Sequence, residues 1–119
     1  MNVVRVSRRP VGGPWADPIS LPGADPGDRE PRIAMGGDGT TTCVWPGLRR
    51  GARHEELEAA QRPAAGGWSQ AQSVTNAHPD RRGESTALAM DSAGNAVAVW
   101  IQRVAGTSRV MVATNRALQ

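Results

Sequence analysis

The feature that most limits what this chain can fold into is an internal repeat with a period of about 54 residues. A repeat of that length is one supersecondary unit, which buries its core only by stacking on its neighbours. Ile33–Trp45 lines up with Leu88–Trp100 at a constant offset of 55. Arg9-Pro10-Val11-Gly12-Gly13-Pro14-Trp15 answers to Arg62-Pro63 and Gly66-Gly67-Trp68 at an offset of 53. A third block occurs three times: Val4, Leu57 and Met111 share one register, as do Val6, Ala59 and Ala113, and Arg9, Arg62 and Arg116. The drift between offsets places insertions and deletions around 46–54 and 76–86, where loops absorb changes of length.

Within each repeat the pattern is that of strands. Asn95–Ile101 is uncharged and rich in β-branched residues, with Ala96, Ala98 and Trp100 on one face and Val97, Val99 and Ile101 on the other. Both faces are apolar, so both are expected to be buried between neighbouring sheets, as in a propeller blade. Ala87–Met90 precedes it, and Asp91-Ser92-Ala93-Gly94-Asn95 separates the two. Gly or Asn supplies positive φ there and Asp binds nearby backbone amides, which is a hairpin signature. Gly36-Gly37-Asp38-Gly39 does the same one repeat earlier. Third strands are predicted at Val3–Arg8, Glu55–Gln61 and Arg109–Thr114, and short fourth strands around 17–21 and 70–75. Glu55–Arg62 has high helix propensity, but its alignment with the other two copies makes it a strand. About nine strands result: third and fourth, then a full set of four, then first, second and third.

The Gly66-Gly67-Trp68-Ser69 element, followed by Asp91-Ser92-Ala93-Gly94-Asn95-Ala96-Val97-Ala98-Val99-Trp100, resembles the sialidase-like (BNR-like) propeller repeats of bacterial exported proteins. The resemblance covers essentially the whole chain. It implies an all-β fold of antiparallel four-stranded blades, an open β-propeller or a propeller fragment, in one repeat array. Residues 1–22 would form a partial blade, 31–75 a full one and 85–116 another partial one. Closed propellers have about four to eight blades. Closure is therefore expected from outside these residues: from a longer protein, or from a ring of several copies. The third option is an open stack with exposed edges, prone to aggregate. The family's Asp-box, Ser-x-Asp-x-Gly-x-Thr-Trp, is not matched at either hairpin turn, and the tyrosine nucleophile of sialidases has no counterpart in a chain without tyrosine.

The resemblance therefore points to a non-catalytic scaffold or a glycan- or protein-binding module, extracellular or at the cell surface. The alternative is a fragment of a glycoside hydrolase whose catalytic residues lie elsewhere. Trp15, Trp45, Trp68 and Trp100 sit at repeat-equivalent positions. Trp45 and Trp100 end apolar strands and are expected in the core. Trp15 and Trp68 follow glycine pairs and are the candidates for stacking on a sugar. The loops at 23–30 and 76–84 carry Asp25, Asp28 and Glu30, and His78, Asp80 and Glu84, as candidate contacts to a polar ligand. Calcium needs about six to eight converging oxygens, and neither loop has such a spacing. His54 and His78 have no Cys partner at zinc spacing. No catalytic residue, metal site or cofactor is assigned.

Composition narrows the partners. All 14 basic residues are arginine, and they are interleaved with 11 Asp and Glu, for a net charge of +3. Mixed signs describe a solvated surface rather than a nucleic-acid stripe. No stretch approaches the ~20 apolar residues of a membrane span. Residues 1–10 lack the apolar core of a signal peptide, so the reading is either a cytoplasmic protein or part of a longer exported one. Cys43 aligns with Ala98 on a strand and is expected to be a buried small side chain.

Overall fold

The computed structural model describes residues 4–23, 30–47, 56–74 and 86–115. Among these there are nine strands and no helix. They are β1 (Arg5–Val6), β2 (Ile19–Ser20), β3 (Arg32–Met35), β4 (Thr41–Gly47), β5 (Glu56–Arg62), β6 (Gln72–Ser73), β7 (Ala87–Met90), β8 (Ala96–Val104) and β9 (Thr107–Asn115). Every pairing is antiparallel, between strands consecutive in sequence. The strands form three sheets: β1-β2, β3-β4-β5-β6 and β7-β8-β9.

The two long hairpins start from the same turn. In β3–β4, Gly36 N–H donates to Thr40 C=O (2.8 Å) and Gly39 N–H to Gly36 C=O (3.0 Å). In β7–β8, Asp91 N–H donates to Asn95 C=O (3.0 Å) and Gly94 N–H to Asp91 C=O (3.3 Å), the same two bonds 55 residues on. Gly39 and Gly94 stand at φ +89° and +88°, a region that costs glycine nothing. The acid differs in place. Asp38 Oδ1 accepts Thr40 N–H (2.9 Å), whereas Asp91 Oδ1 accepts both Ala93 N–H and Asn95 N–H (2.9 Å each). These bonds, led by that from the Asn95 side chain, hold the Asp91 carboxyl below its usual range. The two turns also touch, through Gly37 N–H and Asp91 C=O (3.3 Å).

Two apolar layers join the sheets. The first, between the β1-β2 sheet and the β3-β6 sheet, holds Val4, Leu21, Cys43, Trp45, Ala60 and Ala71. The second, between the β3-β6 sheet and the β7-β9 sheet, holds Val44, Leu57, Ala98 and Trp100. β4 is buried along its whole length because alternate residues enter different layers: Cys43 and Trp45 one way, Val44 the other. Trp45 and Trp100, 55 residues apart, each face the preceding sheet. Two buried polar side chains, Thr42 and Glu58, are paired: Gln61 Nε2 donates to Thr42 Oγ1 (2.9 Å), and Ser73 Oγ to Glu58 Oε2 (2.7 Å), whereas the buried Thr86 hydroxyl has no partner among the described residues. Glu56–Arg62 is a strand despite its helical propensity. β4 on one side and β6 on the other supply its backbone partners, and Leu57 is fully buried.

Two sequence expectations are corrected here. The first concerns β8, expected to be buried on both faces. Ala96, Ala98 and Trp100 are buried, but Val97 is 40% exposed, and Val110 and Val112 beside it on β9 are 77% and 64% exposed. Among the described residues no sheet covers that side. The second concerns β9. Trp45 pairs with Glu58 and Trp100 with Met111, so Met111 is the counterpart of Glu58, and Leu57 that of Val110. The correct offset on the third strand is 53, and the one-residue slip moves each side chain to the opposite face. The slip has a visible cause: between the paired residues Gly47/Glu56 and Gln102/Arg109, the first hairpin has eight intervening residues and the second six.

The shorter hairpin closes through Ala105 and Gly106, at φ +52° and +80°, as a two-residue turn with both central residues left-handed. Alanine is strained in that region. Ala105→Asn is expected to stabilise the protein by about 0.5–1 kcal/mol, seen as a higher urea midpoint at unchanged slope. Gly94→Ala has the opposite sign, because its Cβ would run into the Asp38 carboxylate as well as meeting the wrong backbone region. A loss of about 1–3 kcal/mol is expected in the same urea experiment. Gly106→Ala, with open space around it, should cost less than Gly94→Ala.

Candidate functional site

Where two sheets diverge from their shared layer they leave a groove, and the repeat makes two of them. The first, about 320 Å³, lies between the β1-β2 and β3-β6 sheets. Its apolar lining is Val6, Ile19, Ile33, Met35 and Trp68, with Arg8, Asp17 and Arg62 among its polar residues. Ile19, Ile33 and Met35 are each at least half exposed, so the groove presents apolar surface to solvent beside two guanidinium groups. Such a combination can hold a ligand with a flat apolar face and a polar or anionic substituent. Ser7 is already engaged: its hydroxyl donates to Ala16 C=O (2.7 Å).

The second groove, about 680 Å³, lies between the β3-β6 and β7-β9 sheets. It is the first groove one repeat later. Ile33, Thr41 and Arg62 become Leu88, Ala96 and Asn115, and Val6, Arg8 and Ile19 become Ala59, Gln61 and Gln72. The arginines are thus exchanged for amides, so the second groove is polar without net positive charge. It also has about twice the volume, and no tryptophan lines it.

The structure separates the two candidate tryptophans. Trp68 is half-buried, packed against the first apolar layer and part of the first groove. Trp15, its repeat equivalent, is 68% exposed between β1 and β2 and lines neither groove. Asp25, Asp28, His78 and Asp80 lie outside the described residues. Arg8, Arg62 and the exposed Ile33 and Met35 were not singled out by sequence reasoning. Their one signal was the repeat itself, which could place them only once the stacking of sheets was known.

Trp45 and Trp100 are core residues, 0% and 3% exposed. Cys43 is buried in the first layer, and desolvation pushes its thiol from 9.0 up to about 11. At pH 8 the native protein should therefore carry about a hundredfold less thiolate than a free cysteine. Ellman's reagent is expected to label Cys43 only after denaturant is added; rapid labelling of the folded chain would contradict its burial. Among the described residues no group of three or more His, Cys, Asp or Glu side chains could hold a metal ion. Among them also, no helix is long and apolar enough to cross a membrane.

In comparisons with known proteins, no family model matches the chain, and neither does any curated protein or solved structure.

Proposed function

We propose that this chain is a non-catalytic segment of a sialidase-like β-propeller, acting as a scaffold or as a glycan- or protein-binding module outside the cell. In this reading 31–75 is a full blade, and 1–22 and 85–116 are partial blades on either side. The observation that carries it is the succession of sheets. There is one antiparallel sheet per repeat, and the second and third sheets place Trp45 and Trp100 against the sheet before them. A repeat stacked in that way continues until something covers its last face. The valines of β8 and β9 are the face on which the next sheet would sit. Ligand binding is assigned to the first groove, where Trp68 supplies a stacking surface and Arg8 and Arg62 the polar contacts.

The mass in solution tests the scaffold reading. Light scattering should give species larger than the 12.5 kDa monomer, growing with concentration. A compact monomer that unfolds cooperatively at all concentrations would overturn the view that further sheets are needed. Hydrolysis of a fluorogenic sialoside by this chain would overturn the non-catalytic assignment.

A further inference from the structure

We infer that the outer edge of β9, together with the second groove, is an acceptor for one extended strand carrying a Gly-Gly-Trp-Ser element. The inference goes beyond the propeller reading and stands on the repeat alone.

The first two third-strands, β1 and β5, each carry an outer strand in one and the same register. Arg5 pairs with Ser20 and Val6 with Ile19; 53 residues on, Glu58 pairs with Ser73 and Ala59 with Gln72. The entry into the strand repeats too. Ala16 N–H donates to Arg8 C=O (2.8 Å), and Ser69 N–H donates to Gln61 C=O (2.7 Å), again 53 residues on. Val74 N–H closes the second copy on Leu57 C=O (2.7 Å). A Gly-Gly(-Pro)-Trp element precedes each outer strand, with Gly12 and Gly66 both at positive φ.

The third copy has the receiving edge, and among the described residues it carries no outer strand. The ladder with β8 makes Val110, Met111, Val112 and Thr114 the counterparts of Leu57, Glu58, Ala59 and Gln61. The carbonyls of Val110 and Thr114 are thus the acceptors for the incoming amides. Among the described residues no strand pairs with this edge. β9 is nine residues long with Arg109 as its only charge. It has neither proline nor the run of charges that usually guards an edge.

The groove supplies the side-chain half of the recognition. Trp68, brought in with its outer strand, helps fill the first groove. The second groove is lined from equivalent positions one repeat on, with amides in place of the arginines, no tryptophan, and about twice the volume. An indole arriving ahead of a strand on β9 would lie there, against Leu88 and Ala113. Backbone pairing would give affinity and the indole pocket specificity, as in other strand-addition complexes.

The test uses a synthetic peptide with the sequence of residues 66–74, Gly-Gly-Trp-Ser-Gln-Ala-Gln-Ser-Val, titrated into the full chain and followed by calorimetry and by amide hydrogen exchange. Saturable one-to-one binding is expected, with slowed exchange confined to β9. A peptide N-methylated at the amides equivalent to Ser69 and Val74 should bind at least tenfold more weakly, as should one with Trp68→Ala. Absence of saturable binding by a chain whose β8 amides are protected would overturn the inference. So would equal binding of all three peptides. Binding to a strictly monomeric chain would support the acceptor even where light scattering had overturned the propeller reading, so the two can fail separately.

Discussion

Replacing Trp45 with alanine is expected to remove about 3–5 kcal/mol of stability, the range for truncating a fully buried large aromatic side chain. Total stabilities of single domains are about 5–15 kcal/mol, and a chain of 119 residues with two thin apolar layers belongs near the lower end. A large unfolded population should therefore be present in buffer. Trp45 is 0% exposed and touches residues from both sheets that enclose the first layer, so the hole cannot close without moving a sheet. Trp15→Ala is the control. At 68% exposure it should change stability by less than about 0.5 kcal/mol. Urea unfolding followed by far-UV circular dichroism separates the two. Equal effects of both substitutions would contradict the layer assignment.

The double variant Val110→Lys, Val112→Lys is expected to change association far more than folding. Both side chains point away from the second layer and are mostly exposed. Their ladder equivalents one repeat earlier, Leu57 and Ala59, are covered by the third sheet. Two lysines there place charge on the surface where another sheet would settle, which is how natural sheets prevent such contacts. The cost to the fold should be at most about 1 kcal/mol per site, the span of strand propensity. By light scattering the wild-type mass should rise with concentration, while the variant stays at 12.5 kDa. An identical concentration dependence in both would show that the valine face takes no part. The peptide experiment probes the edge of the same sheet, not its face, so the two readouts are independent.

The grooves were hidden from sequence reasoning for a geometrical reason. Arg8, just after β1, and Met35, at the end of β3, are carried by different sheets and meet only because those sheets stack. No spacing along the chain encodes that meeting. Trp15 and Trp68 illustrate the opposite risk. They are equivalent in sequence, yet Trp68 has a packed sheet beside it and Trp15 does not, so one is half-buried and the other exposed.

Local chemistry alone determined the two long hairpins and their turns. The Gly39 and Gly94 turns need residues that tolerate positive φ, and the short, uncharged runs that follow them, ending at Trp45 and Trp100, have the length and β-branched content of buried strands. The repeat added their order and the third-strand identity of Glu56–Arg62 against its own helical propensity. Tertiary structure alone decided the rest. Ile101, Val110, Met111 and Val112 make β8 and β9 apolar on both faces, so the pattern is satisfied by two registers one residue apart. The two-residue turn at Ala105 and Gly106 selects between them, pairing Trp100 with Met111. Which apolar face lies buried is likewise not a property of the strand. Val44 and Val99 occupy equivalent positions, but a third sheet covers Val44 while none among the described residues covers the side that carries Val97, Val110 and Val112. Burial belongs to a pair of surfaces, and a sequence read one segment at a time contains only one of them.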